Sequence, residues 1–171
     1  MFQESLKQVS NEYVTDEMKK QYLAESNFLI AYYHFLSMRS YGPTMIIRSV
    51  IDLETPISGF PERSSIDEVV AFINEKLDEA MSEGGLPTTW SGKDYGRATR
   101  LAALALKSRV YLYAASPLYN GNTEMYADFR SPLDGRQLIA QEKSQAKWEI
   151  SATQTKYAID EVEKALSLIH I

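Results

Sequence analysis

The run GRATRLAALALKSRVYLYAASPLYNG, Gly96 to Gly121, constrains the fold most, because nothing else in the chain is so apolar, so free of helix breakers and so sharply ended. Pro117 stops it, since proline has no N–H to continue a helix and disfavours helical backbone in the residue before it. At the helical period Leu101, Leu104, Ser108, Tyr111, Leu112 and Ala115 share one side, and Ala103, Leu106, Val110 and Tyr113 another. Apolar side chains therefore go nearly all the way round, and such a helix is expected to be buried. Arg97, Arg100 and Lys107 form the narrow stripe left to meet water, and the alanines let neighbouring helices come close.

The rest of the chain supplies helices to cover that rod. Phe2, Leu6 and Val9 mark a short helix over 2–11, with Asn11 as its terminator. A second helix, 16–40, starts at a capping Thr15 or Asp16 and is stopped by Gly42 and Pro43. Its inward face is expected to carry Tyr22, Leu29, Tyr33 and Leu36, with Phe28, Tyr32 and Phe35 beside them. Residues 41–64 hold Pro43, Pro56, Pro61, Gly42 and Gly59 and read as a long crossing loop, whose strand-like section Met45 to Ile51 has no obvious partner. Ser65 with Glu68 forms a capping box opening an amphipathic helix over 65–82, along Ile66, Val69, Val70, Ile73, Leu77, Ala80 and Met81. Gly84, Gly85 and Pro87 end it.

The central helix spans 97–116, and the segment after Pro117, with turn pairs Asn120-Gly121 and Asp134-Gly135, reads as loop. The last helix, 145–167, places Trp148, Ala152, Thr155, Ile159, Val162 and Leu166 on one side. Pairing 16–40 with 65–82 and 97–116 with 145–167 makes two antiparallel hairpins. The fold class is therefore all-α, tetratricopeptide-like and of α-solenoid type, with long irregular links, residues 1–171 forming a single helical domain fragment. Ala24 and Ala31, Ala102 and Ala105, and Ala158 and Ala165 are the small residues expected at close helix contacts.

With 171 residues, 44% of them hydrophobic and 24% charged, the chain is long enough for a real core and has neither a disordered nor a membrane-spanning composition. A net charge of -5 argues against a general nucleic-acid binder, because releasing the counterions of a phosphate backbone needs a basic surface. Having no cysteine excludes disulfides, thiolate metal sites and a cysteine nucleophile. The start, MFQESLKQVSNEYV, lacks the basic and apolar pattern of a signal peptide. Either the protein is cytoplasmic or the chain begins inside a longer precursor. The helical pattern running out in LSLIHI without a stop favours the second, so the native chain is expected to extend beyond both ends.

The stretch AESNFLIAYYHFLSMRSYGP, Ala24 to Pro43, resembles the signature of SusD/RagB-like nutrient-uptake lipoproteins of Bacteroidetes. Ser64 to Met81, Gly96 to Asn122 and Lys147 to Leu166 follow in the family's order, the Gly96 segment being the most specific. The resemblance implies a scaffold of four tetratricopeptide-like units anchored by lipid on the outer face of the outer membrane. It implies a non-catalytic binder of oligosaccharides, or sometimes peptides, that sits as a lid on a TonB-dependent transporter. The lipid-bearing cysteine and the long C-terminal part are absent from this sequence, so the anchor would lie outside it.

Sugars are bound without catalysis by aromatic faces, with polar groups taking the hydroxyls. The loop residues with that chemistry are Trp90, among Thr89, Ser91 and Lys93, and Tyr119 with Asn120 and Asn122; Tyr126 and Phe129 rank below them. The plain alternative is that each ring covers a helix end, and family membership fixes none of these positions. Arg109 projects away from the stripe of Arg97, Arg100 and Lys107, and Glu25 lies near an apolar face of its own helix, so the two are expected to form a structural ion pair. An enzyme reading has little to use. His34 has no accompanying serine or carboxylate motif, Glu75, Asp78 and Glu79 read as a solvated face, and His34 and His170 offer no metal-ligand spacing. No cofactor is required. The competing reading is an intracellular tetratricopeptide-type adaptor that binds a protein or peptide segment in a solenoid groove.

Overall fold

The computed structural model describes residues 2–9 and 12–169. Its helices are α1 (Phe2–Gln8), α2 (Asp16–Tyr41), α3 (Ile66–Ala80), α4 (Arg100–Ala115), the single turn α5 (Thr123–Tyr126) and α6 (Gln145–Ile169). α2, α3 and α4 each start where a side chain satisfies a free amide of the first turn. Thr15 accepts from the Met18 N–H at 3.2 Å, and Thr99 from the Ala102 N–H at 3.1 Å. Ser65 and Glu68 form the full capping box, the Ser65 N–H donating to Glu68 at 2.7 Å. Gly42 ends α2 at a positive φ of 71°, its N–H donating to the Met38 carbonyl at 2.8 Å. The proposed terminator Asn11 lies outside the described residues, as does His170.

α2 packs along α3 and α4 along α6, and α3 packs against α4. The chain is thus a pair of stacked helical hairpins, all-α and tetratricopeptide-like. The core is drawn from α2 (Ala31, Phe35, Met38), α3 (Val69, Ile73, Leu77) and α4 (Ala103, Leu106, Val110), with Tyr119 and Ile139 from the link after α4. Ala31 and Ala103 are each 0% exposed, which is what close approach of helix axes requires. Phe35 meets Tyr113 edge to face, centroids 5.3 Å apart.

Three faces are turned relative to the sequence expectation. In α2 the buried residues are Ala24, Ala31, Phe35 and Met38, whereas Leu29 is exposed and Tyr33 is 63% exposed. This helix is apolar over so wide an arc that periodicity cannot choose a face; the small alanines go inward because α3 must come close, and tyrosine tolerates water through its hydroxyl. In α4 the supposed water-facing stripe is turned toward other helices. Lys107 pairs with Asp78 of α3, Arg100 donates to the Met81 carbonyl at 2.8 Å, and Arg97 reaches Glu25 of α2. The wet side is instead Ala102, Ala105, Arg109 and Leu112, the last 50% exposed. Alanines have the least area to gain from burial, while long cationic side chains lay their stems on apolar surface and carry their charge to carboxylates and helix-end carbonyls. In α6 Ser151, Ala158 and Ala165 are buried, whereas Ala152 and Ile159 of the expected stripe are exposed.

The links are irregular but anchored. In the first, Met45 and Arg63 make an isolated antiparallel bridge, and Arg48 lies over the Phe72 ring while forking onto Glu75 at 2.9 and 3.2 Å. In the link after α4, Leu138 and Ile139 are buried, and the Leu138 carbonyl accepts from the Ile66 N–H at 3.0 Å, satisfying a first-turn amide of α3. Gly121, at φ 84°, leaves no room for a side chain: a Cβ there would stand 2.7 Å from the Lys143 backbone nitrogen.

Candidate functional site

The link from α3 to α4 makes an open cleft. After α3 the chain turns at Gly84 and Gly85, and Leu86 is buried with its N–H on the Ala80 carbonyl at 2.9 Å. The Arg100 N–H donates to the Pro87 carbonyl at 2.8 Å, which ties the start of α4 to the beginning of the link. Between those ties the backbone arches out through a 3-10 turn at Gly92–Asp94, leaving a cleft of about 500 Å³ lined by Thr88, Thr89, Trp90, Tyr95, Gly96, Arg97 and Thr99.

Trp90 is half-buried and held on two sides. Its indole N–H donates to the Ala98 carbonyl at 2.7 Å, and the Arg97 guanidinium lies 4.1 Å from its ring centroid. Arg97 is in turn fixed by Glu25 of α2 at 2.8 Å through Nε and by Asp94 at 2.9 Å through Nη1, with the Tyr22 ring 5.6 Å away. The pKa of Arg97 is raised, chiefly by the hydrogen bond to Glu25, with Asp94 adding to it against the lowering effect of desolvation. Its Nη2 is buried without a hydrogen-bond partner among the described residues. Tyr95 stands at the mouth, 86% exposed, and the threonines supply hydroxyls. The arrangement offers two aromatic surfaces and neutral donors and acceptors, which suits binding of a polyhydroxylated ligand.

The expected ion pair is corrected: Glu25 meets Arg97, and Arg109 is exposed on the far side of α4. The expectation projected Arg97 onto a continuous helix, but α4 begins at Arg100, and the non-helical residues before it swing Arg97 back onto α2. Arg109 lines a separate groove between α4 and α6, with Ala105, Leu112, Thr155 and Ile159.

The other candidates serve the fold. Tyr119 is 3% exposed and its hydroxyl donates to the Met38 carbonyl at 3.1 Å, so neither ring face is open to a sugar. Asn120 is buried and spans the link, its amide donating to the Ala115 and Ser144 carbonyls at 3.3 and 3.0 Å while its oxygen accepts from the Ser144 N–H at 2.8 Å. Asn122 caps α5, accepting from the Met125 N–H at 3.0 Å. Tyr126 and Phe129 are half-buried against the core, centroids 5.9 Å apart. His34 is packed, Nδ1 donating to the Ile30 carbonyl at 2.8 Å and the ring edge on Phe72. The acidic face of α3 is neutralised locally, Glu75 by Arg48, Glu79 by Lys76 and Asp78 by Lys107. Among the described residues, no group of three or more metal-ligating side chains comes together, and no helix is long and apolar enough to cross a membrane. Tyr95 and the stacking role of Arg97 escaped the sequence reading, because a residue in an aperiodic link carries no signal of where its neighbours fold.

A pair of helical hairpins carrying a small aromatic cleft defines a tetratricopeptide-like binding scaffold. Residues 1–112 match the SusD-like family described as "Starch-binding associating with outer membrane". The chain is 35% identical to the solved structure of BT4246, with a TM-score of 0.82 over 93% of this chain and 27% of that one. A SusD-like protein, BF3747, from Bacteroides fragilis NCTC 9343 is 34% identical, with a TM-score of 0.54 over 60% of this chain and 19% of that one. Surface glycan-binding protein A from Bacteroides fluxus is 32% identical, with a TM-score of 0.52 over 67% of this chain and 23% of that one. Comparison with the curated proteins gave no match. This chain belongs to the SusD-like family, whose members are starch- and glycan-binding components associated with the outer membrane. It spans about a quarter of the length of BT4246.

Proposed function

We propose that the chain is part of a longer, non-catalytic glycan-binding protein, lipid-anchored on the outer face of the outer membrane, that works with a TonB-dependent transporter. The Trp90–Tyr95 cleft takes a sugar ring. The observation that carries the cleft is the fixed Trp90 ring, tied through its N–H and stacked on Arg97, beside threonine hydroxyls and an exposed tyrosine. A ring already held in place loses little conformational freedom when a ligand stacks on it, which is where preorganisation raises affinity.

The test is titration calorimetry of the full chain against neutral oligosaccharides, starting with maltohexaose. Binding should weaken by about tenfold in Trp90→Ala, the scale of losing one aromatic stack, with helical circular dichroism unchanged. Binding equally strong in Trp90→Ala and Tyr95→Ala would remove the cleft from the mechanism. Pull-down of the transporter with the full-length lipoprotein, and its absence when the lipoprotein is omitted, tests the partnership separately.

A further inference from the structure

The Arg97 guanidinium sits in the cleft lining, yet its charge is already spent. One guanidinium faces two carboxylates, Glu25 and Asp94, each within 3 Å of a different guanidinium nitrogen, at 2.8 and 2.9 Å. One positive charge against two negative charges leaves the cluster with one net negative charge. Neither Lys93, which is exposed, nor the two carboxylates line the cleft themselves; Glu25 and Asp94 reach it only through their hydrogen bonds to Arg97. The remaining lining groups, threonine and tyrosine hydroxyls and the indole, are neutral. An arginine in a sugar site invites reading as a receptor for uronate or sulfate groups, and the geometry points the other way.

We propose that Arg97 is a positioning residue that holds the Trp90 platform to α2 through Glu25, and that the cleft consequently selects neutral sugars and rejects acidic ones. Two features carry this. The guanidinium is stacked 4.1 Å beneath the indole with its Nη2 buried, so the unsatisfied donor is screened from a ligand in the cleft. An anionic substituent entering beside Trp90 meets the net negative charge of the Arg97–Glu25–Asp94 cluster at short range in a partly desolvated place, where like-charge repulsion is weakly screened. This inference rests on the reading of the cleft as a sugar site.

The experiment measures the full chain against an array of neutral and acidic oligosaccharides, including maltohexaose and a galacturonate hexamer. The expected result is at least about tenfold preference for neutral members, with neutral binding weakened about tenfold in Trp90→Ala. In Glu25→Gln combined with Asp94→Asn, where both amides can still accept from the guanidinium, the ratio of acidic to neutral binding should rise by about tenfold. An unchanged ratio in that double variant overturns the charge argument. Equal or tighter binding of galacturonate by the wild-type chain, still dependent on Trp90, overturns the inference and leaves the sugar cleft standing. Binding independent of both Trp90 and Tyr95, or no binding across the array, overturns the cleft and the inference together.

Discussion

The two links that flank α4 are built from similar residues and end in opposite states. The link before it carries Trp90 and Tyr95 among glycines and threonines; the link after it carries Tyr119, Asn120 and Asn122 around Gly121. In the first the backbone is pinned at its ends and arches out between them, so an aromatic ring stays at an open cleft. In the second the chain lies back across the helices, with Tyr119 on α2, Leu138 on the first turn of α3 and Asn120 clamping the start of α6. An aromatic residue in a loop is therefore no evidence of a binding surface. What separates the two cases is whether the ring's surroundings are supplied by the link itself or by the core.

That contrast can be broken from either side. Tyr119→Ala should cost the most, about 3 to 5 kcal/mol, because it empties a core position, whereas Trp90→Ala should cost clearly less stability while weakening sugar binding by about tenfold. Chemical denaturation of both variants decides it; equal losses would erase the distinction between a closed and an open link. Asn120→Ala comes next, at about 2 kcal/mol, since it orphans the Ser144 N–H and two carbonyls. A double-mutant cycle on Glu25 and Arg97 should show coupling of about 1 kcal/mol, discounted for a pair that water still reaches, and a cycle on Glu25 and Arg109 should show none. Reversal of those two results would restore the pairing expected from helical projection.

The smallest effect is a pH dependence at the closed link. Glu68 has a lowered pKa, first because the Ser65 N–H donates to it and then through the Ser65 hydroxyl, with Arg136 of the link adding to this. A carboxylate whose folded pKa is depressed stabilises the fold at pH above its unfolded value, about 4.3, and that contribution is lost as pH falls through the lower folded value. Melting temperature should therefore decline on acidification less steeply in Glu68→Gln than in the parent.

Much of the fold could be read directly. Helix starts at Thr15 and the Ser65–Glu68 box are local chemistry, decided by residues three apart, and they lie where expected. The amphipathic α3 buries the residues its period names, including Val69, Ile73 and Leu77. The faces of α2 and α4 could not be read, because a helix apolar on all sides has no preferred inward direction until its neighbours are placed. Tyr33 and Leu112 are exposed for that reason. Of the candidate site, Trp90 was named from its type and setting, while Tyr95 and Arg97 were not, since Gly96–Thr99 interrupts the helical register that would have placed Arg97.

Local information therefore determined that this chain makes helical hairpins, where the helices begin and stop, and which family it belongs to. Caps, breakers and apolar spacing act over a few residues, so they are written in order along the chain. Which of several apolar faces turns inward, which carboxylate Arg97 finds, and which loop aromatic stays open were decided only by assembly. Those outcomes depend on the shapes and charges of segments far apart in sequence, Glu25 and Arg97 among them, and no short stretch contains both sides of the contact.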